Sequence, residues 1–283
     1  MLDKDKRILI VGLGLIGGSY ALALKEKGYR IGAVTRSPET LRYALEQGMI
    51  DEGTTEPAAD FVGGYDIVVF ALYPHLLLEW LEQYQSLLRS GALLTDVTGV
   101  KGSVVYRVQK MLRSDLEFIG AHPMAGRELS GVQYADAGIF RGANYIVTPT
   151  AANTEAAIAI CEELGRTLGF ARISRLSPEK HDEMIGFLSQ LTHCIAVSLM
   201  TCRDTAHLSA YTGDSFRDLT RIARINGEMW SELFLQNKEE LLRQIGLFTT
   251  QLDALKTAIE NDDTDTLKEM MRLSTERRAF FDK

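Results

Sequence analysis

Through the first two thirds of the chain, apolar runs alternate with segments of helix-forming composition. The runs at 8–11, 30–34, 66–71 and 92–97 show little polar alternation, the pattern of strands covered on both faces in a parallel sheet. Shorter runs at 117–120, 144–148 and 171–174 extend the series, the last two flanking a helix at 154–168 as edge additions. Between the strands, 19–27 reads as a helix that stops at Gly28. Ser37-Pro38-Glu39 opens another with a capping hydroxyl, an N1 proline and an early acid, and Pro74 starts a third. From Ser177 the pattern changes: no good strand follows, and no proline occurs beyond Pro178. Helices are predicted at 178–206, 215–224, 228–260 and 264–281, with breaks at 212–214, 226–227 and 261–263. The chain therefore reads as an α/β protein, a doubly wound sheet over 1–176 followed by an all-helical domain over 177–283.

The first strand runs into Gly12-Leu13-Gly14-Leu15-Ile16-Gly17-Gly18-Ser19 and then a helix, the strand–turn–helix context that a GxGxxG sequence needs before it carries weight. Gly12 permits the tight turn, Gly14 lets the backbone approach a pyrophosphate and Gly17 lets helix and strand pack closely. The helix start at Leu15 and Ile16 presents free N–H groups to an anion. The N-terminal domain is thus expected to be a Rossmann-type dinucleotide-binding domain, its ligand crevice lined by strand ends such as Leu72 and Thr98. An Asp or Glu after the second strand would bind the ribose of NAD, but this chain reads Thr35-Arg36-Ser37. A cationic and hydroxyl-bearing turn suits a 2'-phosphate, so NADP is favoured over NAD. Arg36 can equally stack on the adenine, which serves both.

The 283 residues, 46% hydrophobic and 24% charged, suffice for a large core in one large or two modest domains. A net charge of −7 argues against nucleic acid or an anionic membrane as partner and leaves room for a local basic pocket holding a small anion. Cys161, Cys194 and Cys202 are odd in number and lack CxxC spacing, so neither disulfides nor a metal site is expected, and core packing is assigned to all three. The charged N-terminus has no signal-peptide core, and the apolar stretch at 67–81 is broken by Pro74 and His75, which predicts a cytoplasmic protein. The long helices of the tail lack a covering layer and predict a homodimer, with a monomer whose helices fold back on the sheet as the alternative.

Five histidines compete for a catalytic role. His75 and His181 fall early in helix turns and His207 near a helix end, positions that suit surface or capping residues. His122 follows the strand at 117–120 on a loop facing the crevice, where an imidazole can accept a proton near neutral pH. His193 lies within a helix and reads as core.

With these motifs the chain resembles the prephenate dehydrogenases of the TyrA family over nearly its whole length. The likeness rests on the glycine turn, on Thr95-Asp96-Val97-Thr98-Gly99-Val100-Lys101, on His122-Pro123-Met124-Ala125-Gly126, on residues 189–193, and on Phe216-Arg217-Asp218-Leu219-Thr220-Arg221-Ile222-Ala223 with Trp230 beyond. It implies a Rossmann domain, a helical dimerisation domain, and oxidative decarboxylation of prephenate to 4-hydroxyphenylpyruvate. By the same resemblance His122 accepts the substrate hydroxyl's proton, Arg221 holds a carboxylate, and Ser189 and His193 face the substrate, which reverses the core reading of His193. Glu128, Asp218 and Arg221 form a charged gate, for which a plain surface ion-pair network is the alternative, and Trp230 reaches the neighbouring subunit's site. The family's serine is replaced by Gly99, so its hydroxyl is missing or comes from Thr98. Gln190 and Thr192 replace a histidine and a proline, which leaves prephenate and arogenate both open as substrates. No mutase before Met1 or regulatory domain after Lys283 is expected, so tyrosine feedback would act at the active site. The competing readings are another oxidoreductase of the Rossmann-plus-helices group, such as a hydroxyacid dehydrogenase or imine reductase, and a non-catalytic dinucleotide sensor.

Overall fold

The computed structural model describes residues 2–127, 129–204 and 207–282. These residues form two compact units, 2–237 and 238–282. In the first, β1 (Arg7–Val11), α1 (Leu15–Glu26), β2 (Arg30–Val34), α2 (Pro38–Glu46), β3 (Glu52–Thr54), α3 (Ala59–Val62), β4 (Ile67–Phe70), α4 (Pro74–Tyr84), β5 (Leu93–Asp96), α5 (Gly102–Met111), β6 (Glu117–Met124), β7 (Asn144–Thr148), α6 (Glu155–Leu168) and β8 (Arg172–Arg175) build one sheet and its covering helices. The strand order is β3-β2-β1-β4-β5-β6-β7-β8. The first six strands are mutually parallel and β7 turns antiparallel to β6. Order reverses between β1 and β4, which opens a crevice at the strands' carboxyl ends. Ile8 and Ile10 of β1 face one core and Leu9 and Val11 the other, so both faces of the central strand are buried.

The remaining helices of this unit are α7 (Pro178–Ile185), α8 (Thr192–Thr201), α9 (Asp214–Thr220) and α10 (Gly227–Gln236). One turn of π-helix at Gly186–Leu191 joins α7 to α8. The run Pro178–Thr201 is apolar and long enough to cross a membrane by length and composition. Its buried His181, Asp182 and Gln190 are all hydrogen-bonded within the protein. The second unit is a helical hairpin, α11 (Lys238–Glu260) and α12 (Thr264–Arg278). Asp262 turns the chain with a φ of 53°, and Asp263 caps α12 by accepting from the Thr266 N–H at 3.0 Å.

The fold class is the expected one, an α/β sheet domain followed by helices, with local differences. β3 is an unpredicted edge strand, too short and polar to register as a run. The expected helix at 228–260 is two helices broken at Asn237, whose side-chain amide is drawn off to the Asp182 carbonyl and Gln190. The helix from 178 ends at Thr201 and contains the π turn. β6 continues to Met124 because residues 120–124 pair with β7, His122 opposite Ile146. His122 is therefore a strand residue, not a loop residue. Of the cysteines, Cys161 is buried and its thiol pushed up to about 11 by that burial, whereas Cys202 is exposed and not a core residue.

Candidate active site

At the glycine turn, Gly12 holds a φ of 99°, and a Cβ there would lie 2.5 Å from the Ala71 carbonyl oxygen. A Cβ on Gly17 would meet the Gly12 oxygen at 2.0 Å, so strand and helix pack as only glycine allows. Gly14 differs: nothing lies within 4 Å of its Cβ position, and as N-cap of α1 it offers no side-chain acceptor. The N–H groups of Leu15, Ile16 and Gly17 thus remain for an external acceptor, and the turn fits a pyrophosphate. Leu72 lies over Gly12, half-buried. At the end of β2, Thr35 is 9% exposed and Arg36 is exposed. Ser37 is spent on α2: its hydroxyl accepts from the Thr40 N–H at 3.1 Å and donates to Glu39 at 2.9 Å. Its hydroxyl hydrogen is thus directed to Glu39 rather than free for a phosphate, contrary to expectation.

His122 stands where β6 outruns β5, which pairs only as far as Ile119. The Asp96 carboxylate takes over as partner, accepting from the Ala121 N–H at 3.0 Å. Asp96 is fully buried with Lys101, Nζ to Oδ2 2.6 Å. The Thr98 hydroxyl lies between Asp96 and the Val100 carbonyl and accepts from Lys101 Nζ at 3.1 Å. At 4% exposure it is tied into this cluster and does not replace the missing serine hydroxyl. Residue 99 is the one that faces the imidazole: a Cβ on Gly99 would sit 3.9 Å from His122 Cε1 and 3.6 Å from Leu233 Cδ1.

Behind His122 lies a residue misread from sequence. His181 is fully buried, not a surface histidine, with its Nε2 2.8 Å from His122 Nδ1 and its Nδ1 2.7 Å from Asp182 Oδ1. Asp182 also accepts from the Lys101 and Gly102 N–H groups, each at 2.8 Å, which caps the start of α5. Burial, His181 and the Lys101 charge together hold His122 well below the ordinary imidazole pKa, so the unperturbed value expected does not apply. His181 is lowered too, by burial against the opposing pull of Asp182. The adjacent His-Asp pair in a helix's first turn was the available signal, but nothing local marks it as buried.

On the helical side, the Ser189 carbonyl in the π turn accepts from the Thr192 hydroxyl at 2.6 Å and from His193 Nδ1 at 2.9 Å. The His193 ring stacks on Trp230 of its own chain, centroids 3.7 Å apart. Such π turns are frequent at functional sites, where the widened backbone redirects side chains. Gln190 donates to the Leu233 carbonyl at 3.1 Å and accepts from Asn237 at 2.7 Å, so it ties α10 to this turn. Asp218 on α9 and Arg221 one turn later are exposed, and both segments pack on the helix that carries His193. Glu128 of the expected gate lies outside the described residues. His75 is exposed and paired with Glu232, Nδ1 to Oε2 2.7 Å; His207 is exposed. The described residues contain no cluster suited to a metal ion. A cavity of about 400 Å³ lined by Lys6, Asp66, Gly91 and Arg166 lies at the amino ends of the strands, away from all of these groups.

Two family models match, the prephenate dehydrogenase nucleotide-binding domain over residues 20–173 and the prephenate dehydrogenase dimerization domain over 177–273. The prephenate dehydrogenase of Bacillus subtilis is 33% identical over 92% of this chain and 72% of its own. The chain belongs to the prephenate dehydrogenase family. Within that family, the Zymomonas mobilis cyclohexadienyl dehydrogenase is 29% identical over 96% of this chain and 95% of its own. Among solved structures, the Aquifex aeolicus prephenate dehydrogenase in complex with hydroxyphenyl propionate and NAD+ is 32% identical. It superposes with a TM-score of 0.90 over 98% of each chain. The protein is thus an oxidoreductase of the family that carries a nicotinamide dinucleotide-binding domain. The hydroxyisobutyrate dehydrogenase of Mycobacterium tuberculosis, at 13% identity and a TM-score of 0.54, shares the fold alone.

Proposed function

We propose that this protein oxidatively decarboxylates prephenate to 4-hydroxyphenylpyruvate with NAD or NADP as acceptor. The observation that carries the reading is His122, held on β6 at the same carboxyl end of the sheet as the open cradle at Gly14, with β4 and β5 between its strand and β1. The cofactor, when bound, supplies the nicotinamide that takes the hydride from the substrate's hydroxyl-bearing ring carbon. His122 accepts the hydroxyl proton, so the ring oxygen becomes a carbonyl as hydride leaves; the ring carboxylate then departs as carbon dioxide, the ring becomes aromatic, and its phenolate oxygen takes the proton back from His122. Burial favours neutral His122, the form that can accept. Ser189, His193 and Trp230 supply the substrate-facing wall. Arg221 offers a fork of donors to a carboxylate, with Asp218 and Glu128 as its gate partners.

The finer assignments belong to the same proposal. The nucleotide-binding domain is taken as 1–176 and the helical domain as 177–283, dimeric through exposed apolar residues such as Leu242, Leu247, Leu252, Ile259 and Met271. The compartment is the cytoplasm. NADP is accepted at least as well as NAD because Thr35 lacks the carboxylate that would repel a 2'-phosphate. Arg36 is the charged donor at that turn. Arogenate is the second substrate to test, since a Synechocystis arogenate dehydrogenase superposes with a TM-score of 0.84 at 26% identity. Purified protein is mixed with prephenate or arogenate and each cofactor, and reduced-nicotinamide absorbance is followed. Turnover of prephenate supports the reading; turnover of neither substrate removes it.

A further inference from the structure

The proton that His122 takes has a route away from the crevice. Asp182 can only accept, and the N–H groups of Lys101 and Gly102 hold its carboxylate in place. His181 Nδ1, 2.7 Å from Oδ1, must then carry a hydrogen. A neutral imidazole protonated at Nδ1 has an acceptor at Nε2, and that atom lies 2.8 Å from His122 Nδ1. His122 therefore donates through Nδ1, and its lone pair is left on Nε2. One carboxylate sets the tautomers of two imidazoles in series.

We propose that His122, His181 and Asp182 form a proton relay in which His181 and Asp182 orient His122 and receive the charge it gains from substrate. The step balances. One proton passes from the substrate hydroxyl to His122 Nε2, the His122 Nδ1 proton passes to His181 Nε2, and the His181 Nδ1 proton stays bonded to Asp182. The carboxylate remains ionised, and the positive charge moves from the crevice to its side until the aromatised product's oxygen takes the proton back along the same path.

The charged and titratable groups around the pair decide the direction. His122 on β6 is faced by His181 from α7 and by Lys101 from the segment before α5, and His181 by Asp182, Lys101 and Asp96. Lys101 opposes a further positive charge, its partner Asp96 offsets it, and Asp182 alone stands in line to stabilise a proton on the pair. The two imidazoles titrate as one unit. Once the pair holds an extra proton on His181, the hydrogen bond reverses, His122 carries its hydrogen on Nε2, and it can no longer accept. His181 and Asp182 are positioning residues and touch no substrate in this scheme.

This inference rests on His122 being the acceptor, and its test separates the two. Histidine-selective ¹⁵N NMR of the ligand-free full-length protein, assigned with His122→Asn and His181→Gln, reports the tautomers without any turnover. Hydrogen on Nδ1 of both rings at pH 8 is the expected result; hydrogen on Nε2 of His122 overturns the relay whatever the substrate. In kinetics, His181→Gln, which leaves the Asp182 cap of α5 intact, should lower kcat roughly 10- to 100-fold, the scale of an impaired general base, with KM within about threefold. The acid limb of kcat/KM should move to lower pH in Asp182→Asn, which removes the carboxylate that stabilises the extra proton. A purely structural role would lower activity without moving that limb, and an unmoved limb in Asp182→Asn overturns the proposal. If wild type turns over neither prephenate nor arogenate, the functional reading fails while the NMR result still decides the relay.

Discussion

Replacement of Lys101 by Met tests whether the buried ion pair beside His122 is structural, electrostatic or both. The ammonium and the Asp96 carboxylate are fully buried, 2.6 Å apart. Removing one partner of such a pair typically costs about 3–5 kcal/mol, because the other charge is left uncompensated in a poorly polarisable interior. Asp96 keeps its bonds from the Thr98 N–H, the Thr98 hydroxyl and the Ala121 N–H, which places the expected loss near the lower end, about 3 kcal/mol. At about 2–4 °C per kcal/mol for a chain of this size, the melting temperature should drop by roughly 6–12 °C in a thermal scan at pH 7.5. A double variant with Asp96→Asn, which retains an acceptor for the Ala121 N–H but no charge, should recover part of that drop. The kinetic readout runs independently: Lys101 is one of the three influences that depress His122, so its removal makes protonation easier and moves the acid limb of kcat/KM to higher pH. A melting temperature within about 2 °C of wild type, or no recovery in the double variant, would refute the uncompensated-charge argument.

Replacing His122 by Asn should lower kcat about a hundredfold or more with modest change in KM, measured by steady-state absorbance. It should also reduce the acid sensitivity of the fold. A histidine depressed in the native state binds its proton more readily when unfolded, so stability falls as pH drops below the unfolded value near 6.5, by at most about 1.4 kcal/mol per pH unit per histidine. Melting curves from pH 8 to 5.5 on wild type and variant check the slope. Arg221→Gln should chiefly raise KM, about 30-fold for a loss of roughly 2 kcal/mol of carboxylate binding; an unchanged KM counts against that role. Thr35→Asp should shift preference toward NAD in paired steady-state assays, whereas strong NAD preference already in wild type contradicts the cofactor reading. Gly99→Ser should fold with an unchanged melting temperature, since its Cβ meets only ordinary contacts; a kcat raised above wild type would show that a hydroxyl beside His122 aids the reaction, and a fall would refute it.

The order of strands and helices was legible in the sequence because its signals are local. An apolar run such as 8–11 can only be a strand covered on both faces, Gly12 and Gly17 stand where a Cβ would collide, and Ser37 and Asp263 announce helix starts within a few residues. His122 stood out as chemistry at a strand's end, whereas the Ser189–His193 stretch, whose histidine reads locally as core, was singled out only by the family resemblance. What those residues do depends on partners far along the chain. His122 is a strand residue because β7 pairs with it, 24 positions on at Ile146. His181 looks like a surface histidine in its own helix turn and is buried only because α7 packs on α5, bringing it to a residue 59 positions earlier. Ser37 looks like a phosphate donor until the Glu39 carboxylate takes its hydroxyl hydrogen, and Thr98 like a catalytic hydroxyl until Lys101 and Asp96 enclose it. Short-range pattern determines which element forms; burial, tautomer and charge state are properties of the assembled neighbourhood, and only tertiary packing decides them.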